Sequence, residues 1–178
     1  RVYPFSEKLG RVEINGKWGY VGEDGRIVIE PQFPAQVQLS SFGDPSQDSH
    51  GFYNGLALVR VDKKWGYIDI MGNIVIEAKF STAGRFSEGL AAVMVDGKYG
   101  YINKKGEVVI KPEFETAEAF SEGLAVVRIN GKRGFINLEG KMIIPAKYDC
   151  VKSFSESLAA ILPIGKETSI GIACIGKW

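Results

Sequence analysis

The chain is poor in the residues that carry most enzyme chemistry, with one histidine and two cysteines among 178 residues. It also lacks a charge bias, since 22 Lys and Arg against 21 Asp and Glu leave a formal net charge of +1. Nucleic-acid-binding proteins usually carry a basic excess, so nucleic acid is a poor candidate partner. No apolar run approaches the roughly 18 residues of a membrane-spanning helix, so we expect no membrane insertion.

The scarcity of cysteine and histidine also bears on cofactors. Cys150 and Cys174 permit one disulfide but do not require it, and we expect two free buried thiols. The chain has no ligand spacing typical of zinc, no glycine-rich loop that would cradle a phosphate and no nucleophile elbow. We therefore expect neither a metal nor a cofactor.

A recurring four-residue block is the most prominent feature that the chain does have. Lys17-Trp18-Gly19-Tyr20 returns as Lys64-Trp65-Gly66-Tyr67 after 47 residues, and related blocks follow from Lys98 and Lys132 at intervals of 34 residues. Two other blocks follow the same register, one of the form Phe-Ser-Glu-Gly-Leu-Ala and one of the form Ile-Val-Ile-Glu-Pro. Recurrence at a fixed period of this length is the signature of a tandem repeat.

The three blocks divide the chain into about five copies of one unit, forming a single array over residues 1–178. We place the copies approximately at 1–33, 52–80, 86–114, 120–148 and 154–178. The longer first interval is explained by an insertion at 34–51, which is rich in Ser, Gln, Asp and Pro and is expected to be an exposed loop. The fifth copy lacks the third block, as terminal repeats often do.

Within one copy, the pattern predicts an all-β, three-stranded antiparallel meander. Asn15-Gly16, Asp96-Gly97 and Asn130-Gly131 separate apolar runs, and such pairs are the strongest short hairpin signal. The mid-strand glycines, Gly66 among them, indicate a bulge or the close approach of a large group, which we expect to be an aromatic ring of the next copy. A unit this small cannot bury its apolar face alone.

The copies must therefore pack on one another. They can stack as an open, curved, solenoid-like array or close into a small β-propeller. Propeller blades usually have four strands and about 40 or more residues, so a 34-residue unit favours the open stack.

Together, these blocks resemble the bacterial WG-containing repeats, also called KWG repeats. The resemblance covers nearly the whole chain and rests on several motifs in fixed register. It implies a β-rich repeat that is frequent in proteins of the cell envelope and that has no settled biochemical activity. The departures are Tyr99 and Arg133 at the tryptophan position, the insertion and the incomplete fifth copy.

The first candidate binding residues are Trp18, Trp65, Tyr99 and Arg133, one per copy. An unpaired arginine is costly in a fully buried slot, so we expect this position to be half exposed. Such a row could stack on sugars or hold peptide side chains. The alternative is packing between neighbouring hairpins, with Arg133 lying over an adjacent ring.

Glu7, Glu88, Glu122 and Glu156 form a second row, at the Ser-Glu turn of each copy. Paired carboxylates can cleave a glycosidic bond when about 5 to 10 Å apart. A catalytic pair, however, needs two different environments, whereas a repeated position offers nearly the same one each time. We expect solvated turn residues that accept local backbone N–H groups.

The insertion holds the only histidine, His50, with Asp44, Asp48 and Ser46. A Ser-His-Asp set is conceivable there, but a flexible loop offers no rigid support for catalysis, and we expect no catalytic role. The predicted function is a non-enzymatic binding or scaffold module with a protein or polysaccharide partner, cell-envelope or secreted rather than cytoplasmic. A passive spacer is the alternative, and a glycan-active enzyme is the least favoured hypothesis.

Overall fold

The computed structural model describes residues 2–34, 51–151 and 161–162, and its regular elements there are all β-strands. No helix in these ranges is long and apolar enough to cross a membrane. The strands are β1 (Val2–Ser6), β2 (Leu9–Ile14), β3 (Lys17–Gly22), β4 (Ile27–Pro34), β5 (Phe52–Tyr53), β6 (Leu56–Val61), β7 (Lys64–Asp69), β8 (Ile74–Phe80), β9 (Thr82–Ala83), β10 (Leu90–Val95), β11 (Lys98–Asn103), β12 (Val108–Phe114), β13 (Thr116–Ala117), β14 (Leu124–Ile129), β15 (Lys132–Asn137), β16 (Met142–Tyr148), β17 (Cys150–Val151) and β18 (Ile161–Leu162).

The strands form successive antiparallel meanders, which we call copies one to four. Copy one is β1–β4, copy two β5–β8, copy three β9–β12 and copy four β13–β16, and β17 pairs with β18 beyond them. The predicted all-β repeat of meanders is confirmed. The sheet of each of these four copies has four strands, however, and not the three that we predicted. The additional first strand has only two residues in copies two to four, too few to show the alternation by which strands are recognised.

The central hairpins close through two-residue turns, as the Asn-Gly and Asp-Gly pairs predict. Both turn residues have positive φ, for example 49° at Asp96 and 78° at Gly97. Asn and Asp tolerate this left-handed conformation better than other side chains, and glycine adopts it freely. The turn fixes the register in which Val95 faces Lys98, so the apolar residues of β10 and β11 lie on matching faces.

The turn between the third and fourth strands depends on one polar side chain. Asn103 Oδ1 accepts the backbone N–H groups of Lys105 and Glu107 at 3.0 and 3.1 Å. Asp69 does the same in copy two, and a side-chain hydrogen bond from Asn73 is the main reason that its pKa lies below its usual range. These local hydrogen bonds stabilise the turn that leads from the third strand to the fourth.

The mid-strand glycines face a bulge of their own sheet. A Cβ on Gly66 would lie 2.5 Å from the carbonyl oxygen of Ile76, and one on Gly100 would lie 2.5 Å from that of Ile110. The β7–β8 register shifts at this point, which confirms the predicted bulge. The expected aromatic intruder is wrong, because the fourth strand of the same copy fills the space.

The hydrophobic cores lie between copies. Leu58 and Tyr67 of copy two share one core with Val93 and Ile102 of copy three, and equivalent cores join copies one with two and three with four. In β10, the other face is also buried, because Ala92 belongs to the core shared with copy four. An interior copy is thus covered on both faces by its neighbours.

The four sheets of the described residues follow one another in tandem, and none of them closes into a barrel. This arrangement agrees with the predicted stack of repeats. Two apolar side chains of copy one are exposed, Phe5 by 48% and Ile14 by 46%.

Cys150 at β17 is buried and disulfide-bonded, so the expectation of two free thiols is wrong. Sequence separation alone could not reveal the bond. The pairing of Cys150–Val151 with Ile161–Leu162 folds the chain back on itself at this point. Cys174 and most of the predicted fifth copy lie outside the described residues.

Candidate functional site

The tryptophan of copy one is a core residue. Trp18 is 5% exposed, its indole Nε1–H donates to the carbonyl oxygen of Pro34 at 3.1 Å, and its ring centroid lies 5.5 Å from that of Phe33. The guanidinium of Arg11 covers the ring at 5.5 Å. The hydrogen bond and the contact with Phe33 anchor the hairpin to the fourth strand of its own copy, whereas the cation–π contact lies within the hairpin.

The other members of this row differ from copy to copy. Trp65 is partly buried, with the guanidinium of Arg60 at 5.6 Å from its ring centroid. Tyr99 is 6% exposed, and its burial raises the pKa of its hydroxyl. Arg133 Nη1 lies 3.5 Å from Glu118 Oε1 in an ion pair.

The expectation of a half-exposed row is therefore wrong for Trp18 and Tyr99 and correct for Trp65 and Arg133. Arg133 is tolerated because it has a carboxylate partner, whereas the alternative considered above placed it over an adjacent ring. The assignment of these four residues to ligand binding stays a prediction. The structure adds that Trp18 and Tyr99 offer little ring surface to a ligand.

The aromatic residue two places further on joins one copy to the next. The ring centroids of Tyr67 and Phe86 lie 4.8 Å apart, as do those of Tyr101 and Phe120. Tyr67 Oη donates to the carbonyl oxygen of Gly84 at 2.7 Å, at the start of the next copy. Burial raises the pKa of the Tyr67 hydroxyl, which keeps the donor protonated.

The Ser-Glu turns form a second connection between copies. Glu88 Oε2 accepts the backbone N–H of Gly123 at 2.9 Å, and Glu7 Oε2 accepts that of Gly55 at 2.9 Å. In the same way, Asn54 Oδ1 accepts the backbone N–H of Gly89 at 3.3 Å. We call this series the turn ladder; a parallel bond runs from Ser87 Oγ to the carbonyl oxygen of Phe120 at 2.7 Å.

The turn ladder changes the interpretation of the glutamate row. We expected these side chains to accept local N–H groups, but the acceptors reach into the following copy. Glu7, Glu88 and Glu122 have φ near +50°, a conformation that glutamate seldom adopts. The glutamate side chain is longer than that of asparagine, and its acceptor oxygen comes closer to the N–H of the next turn, at 2.9 Å against 3.3 Å. This contact explains why glutamate occupies the position.

Several sequence candidates cannot be placed. Asp44, Ser46, Asp48 and His50 of the insertion lie outside the described residues, as does Glu156. Elsewhere, in the part of the chain that the structure describes, no group of three or more His, Cys, Asp or Glu side chains could hold a metal ion.

An exposed aliphatic row on the fourth strands is a feature that sequence reasoning missed. These strands lie at the edge of their sheets. At the first two positions of these strands, seven aliphatic side chains are 44–51% exposed, and we call them the outer row: Ile27, Val28, Ile74, Val75, Val108, Val109 and Ile143. Met142, at the first position of β16, is partly buried. The next residue in each strand, such as Ile76, turns inward and packs on the following copy near Gly106.

The signal for this row was present in the third block. The block begins with two consecutive apolar residues before the inward-pointing isoleucine, and consecutive strand residues point to opposite faces. Pro31, Pro112 and Pro145 already indicated a strand edge, because proline cannot donate to a ladder. These prolines also make the edge unsuitable for the addition of another strand.

A groove of about 340 Å³ lies beside the outer row, between copies two and three. Its lining includes two lysines and one acid with an apolar floor: Lys64, Lys79, Phe80, Met94, Asp96 and Val108. One copy further on, Glu115 and Arg128 occupy the positions of Ser81 and Met94 and pair with each other at 3.5 Å. The groove between copies two and three has no such internal ion pair.

Comparison with known protein families identifies the repeat. The family described as WG containing repeat matches six segments of the chain: residues 1–18, 18–35, 47–65, 65–99, 99–132 and 134–162. No curated protein and no solved structure matches the chain significantly. The six segments cover most of the sequence.

The turn ladder predicts a measurable contribution of Glu88 to stability. Glu88→Ala removes the acceptor for Gly123 N–H and should lower the free energy of unfolding by about 1 kcal/mol. Glu88→Gln keeps an acceptor oxygen at the same reach and should lose less than half as much. Urea unfolding followed by circular dichroism measures both variants, and equal losses would contradict the hydrogen bond between copies.

Proposed function

Because the chain belongs to the WG-containing repeat family, we propose that it acts as a non-enzymatic binding module for a protein partner. The observation that carries this proposal is the outer row. Seven aliphatic side chains, each about half exposed, recur at two strand positions in successive copies. Exposed apolar surface repeated in this way is uncommon on monomeric soluble proteins and is typical of sites of interaction.

A protein partner fits this surface better than a polysaccharide. Sugars are usually held by stacking on exposed aromatic faces. Trp18 and Tyr99 are buried, however, and so are Tyr67 and Tyr101, the tyrosines that contact the next copy. The exposed side chains are isoleucine and valine, which gain from covering by other aliphatic groups. The edge prolines favour contact through side chains over strand addition.

The groove between copies two and three supports a more specific partner chemistry. Lys64 and Lys79 bring two positive charges to its lining against one negative charge at Asp96. A partner segment that combines aliphatic and acidic side chains would complement both the groove and the adjacent Val108. Charge complementarity of this kind mainly selects the partner and speeds its association.

The glutamate row supports a binding role over catalysis. Glu7 and Glu88 are each committed to a backbone N–H of the next copy in equivalent surroundings. A glycosidase pair needs two carboxyl groups whose environments separate their pKa values. The disulfide at Cys150 supports a location in the cell envelope or outside the cell, because such bonds persist in oxidising compartments.

The outer row can be tested by paired substitutions on one face of the edge strands. Val75→Ser with Val109→Ser removes two half-exposed aliphatic groups and should weaken binding of a captured protein partner at least about tenfold. The fold should be retained, because neither side chain belongs to a core. Affinity is measured by surface plasmon resonance on the purified chain and partner.

The matched control is Glu77→Ser with Lys111→Ser, which lie two residues further along the same strands and are also exposed. This control should change affinity less than threefold. Equal losses in both double variants would contradict the outer row as the binding surface. If no partner depends on the valines, the chain is a spacer and the proposal fails.

The proposed location predicts that Cys150 is oxidised in the cell. Cells that produce the protein are treated with a membrane-permeant thiol reagent and fractionated, and the chain is then analysed under denaturing, non-reducing conditions. We expect no labelled cysteine and recovery in the envelope or secreted fraction. Labelling of both cysteines in a cytoplasmic fraction would overturn the location.

A further inference from the structure

The interfaces between the described copies differ at two facing positions. Between copies three and four, Glu115 and Arg128 form an ion pair at 3.5 Å, and Glu115 also accepts the backbone N–H of Gly131 at 3.1 Å. The positions 34 residues earlier, between copies two and three, hold Ser81 and Met94. The Ser81 hydroxyl donates to the carbonyl oxygen of Met94 at 3.4 Å. A short hydroxyl and a thioether thus replace two long charged side chains.

The groove of about 340 Å³ lies where that ion pair is missing. Ser81 and Met94 line it together with Phe80 and Val108. Phe80 is buried, whereas Val108 is 51% exposed and belongs to the outer row. The groove therefore adjoins the exposed aliphatic surface and has an apolar floor.

The rim of the groove is positively charged. Lys64 and Lys79 are exposed, and Lys79 Nζ lies 5.4 Å from the ring centroid of Phe80. Neither lysine has an ion-pair partner among the described residues. Asp96, in the turn of the next hairpin, is the one acid of the lining, which leaves an excess of positive charge.

The other two described interfaces do not repeat this combination. Between copies three and four, the lysine positions hold Lys98 and Glu113, which add no net charge beside the ion pair. Between copies one and two, Gln32 stands at the second lysine position, and Arg60 stands at the methionine position with its guanidinium 5.6 Å from the Trp65 ring centroid. Two lysines above an uncharged floor therefore occur at one of the three described interfaces.

We infer that this groove fixes the register of the bound protein partner, by taking one acidic side chain of the partner together with an aliphatic neighbour. The inference rests on the proposed function and goes beyond it. The outer row repeats from copy to copy, so an aliphatic segment gains similar contacts after a shift of one copy. The lysines and the apolar floor distinguish one of these positions, because a carboxylate gains from both cations only there.

The spacing of side chains in an extended segment fits this arrangement. Such a segment presents every second side chain to the same surface. An acidic residue two places from an aliphatic one can therefore reach Lys64 and Lys79 while the aliphatic side chain covers Met94. Asp96 disfavours a second acid at the same place by like-charge repulsion. The partner chemistry is thus one carboxylate within an aliphatic stretch, and not a generally acidic tail.

The test uses three synthetic peptides of equal length as probes. They alternate valine with serine and carry glutamate, glutamine or lysine at one central valine position, and fluorescence anisotropy measures their dissociation constants. We expect the glutamate peptide to bind about fivefold more tightly than the glutamine peptide, and the lysine peptide to bind most weakly. Equal affinities or tightest binding of the lysine peptide would overturn the inference, as would no binding of the glutamate peptide at about 1 mM.

Transplanting the ion pair of the next interface fills the groove. Ser81→Glu with Met94→Arg should abolish the preference for glutamate over glutamine. The fold should be retained, because Glu115 and Arg128 already form this pair at the equivalent place. A preference that survives in the folded double variant would place the carboxylate elsewhere and contradict the inference.

Lys64→Gln and Lys98→Gln form a matched pair of single variants. Lys64→Gln removes one charge from the groove and should reduce the preference to about twofold. Lys98 is its exposed counterpart one copy further on, where the ion pair occupies the groove position, so Lys98→Gln should leave the preference unchanged. An equal loss in both variants would indicate a general effect of charge and sink the inference.

A second groove can be built at the next interface. Glu113→Lys, Glu115→Ser and Arg128→Met introduce the corresponding groove residues between copies three and four. Isothermal titration calorimetry should then find two glutamate peptides bound per chain in place of one. A stoichiometry that stays at one, in a variant whose circular dichroism is unchanged, would count against the inference.

The captured partner separates this inference from the proposed function. If Val75→Ser with Val109→Ser weakens its binding but Ser81→Glu with Met94→Arg does not, the outer row is the binding surface and the inference about the groove fails. If neither double variant weakens binding, both fail.

Discussion

Contact between the tyrosine of one copy and the phenylalanine of the next is the interaction on which the rest of the structure depends. Tyr67 with Phe86 and Tyr101 with Phe120 stand at the centre of cores that no copy contains by itself. A four-stranded sheet of about 34 residues has too little apolar surface to fold around its own core. Stability must therefore come mainly from the interfaces, as in other repeat proteins.

The stacking also decides which surfaces remain available. Both faces of an interior sheet are covered, so most of the exposed large apolar side chains of the described residues lie on the fourth strands or in the turns before them. The outer row is the part on the strands. The turn ladder runs along the array and fixes the offset of successive copies, because each acceptor reaches only the turn next to it.

Much of this could be predicted from the sequence. The period, the Asp96-Gly97 turn and the alternation that puts Tyr101 and Ile102 on opposite faces all follow from local rules that the structure obeys. What failed depends on partners distant in sequence. The burial of Trp18 and Tyr99, the reach of Glu88 into the next turn and the disulfide at Cys150 each require knowledge of which segments meet. The two-residue first strand was too short to carry a pattern.

The central claim is that adjacent copies are joined energetically through their aromatic pairs, and a double-mutant cycle tests it most directly. Tyr101→Leu and Phe120→Leu are made singly and together, and urea unfolding gives the free energies. The account predicts a coupling energy of about 1 kcal/mol between the two substitutions in the free energy of unfolding. The control pair is Tyr101→Leu with Phe86→Leu, whose effects should be nearly additive because Phe86 belongs to the preceding interface. Additive losses for Tyr101 and Phe120 would contradict it.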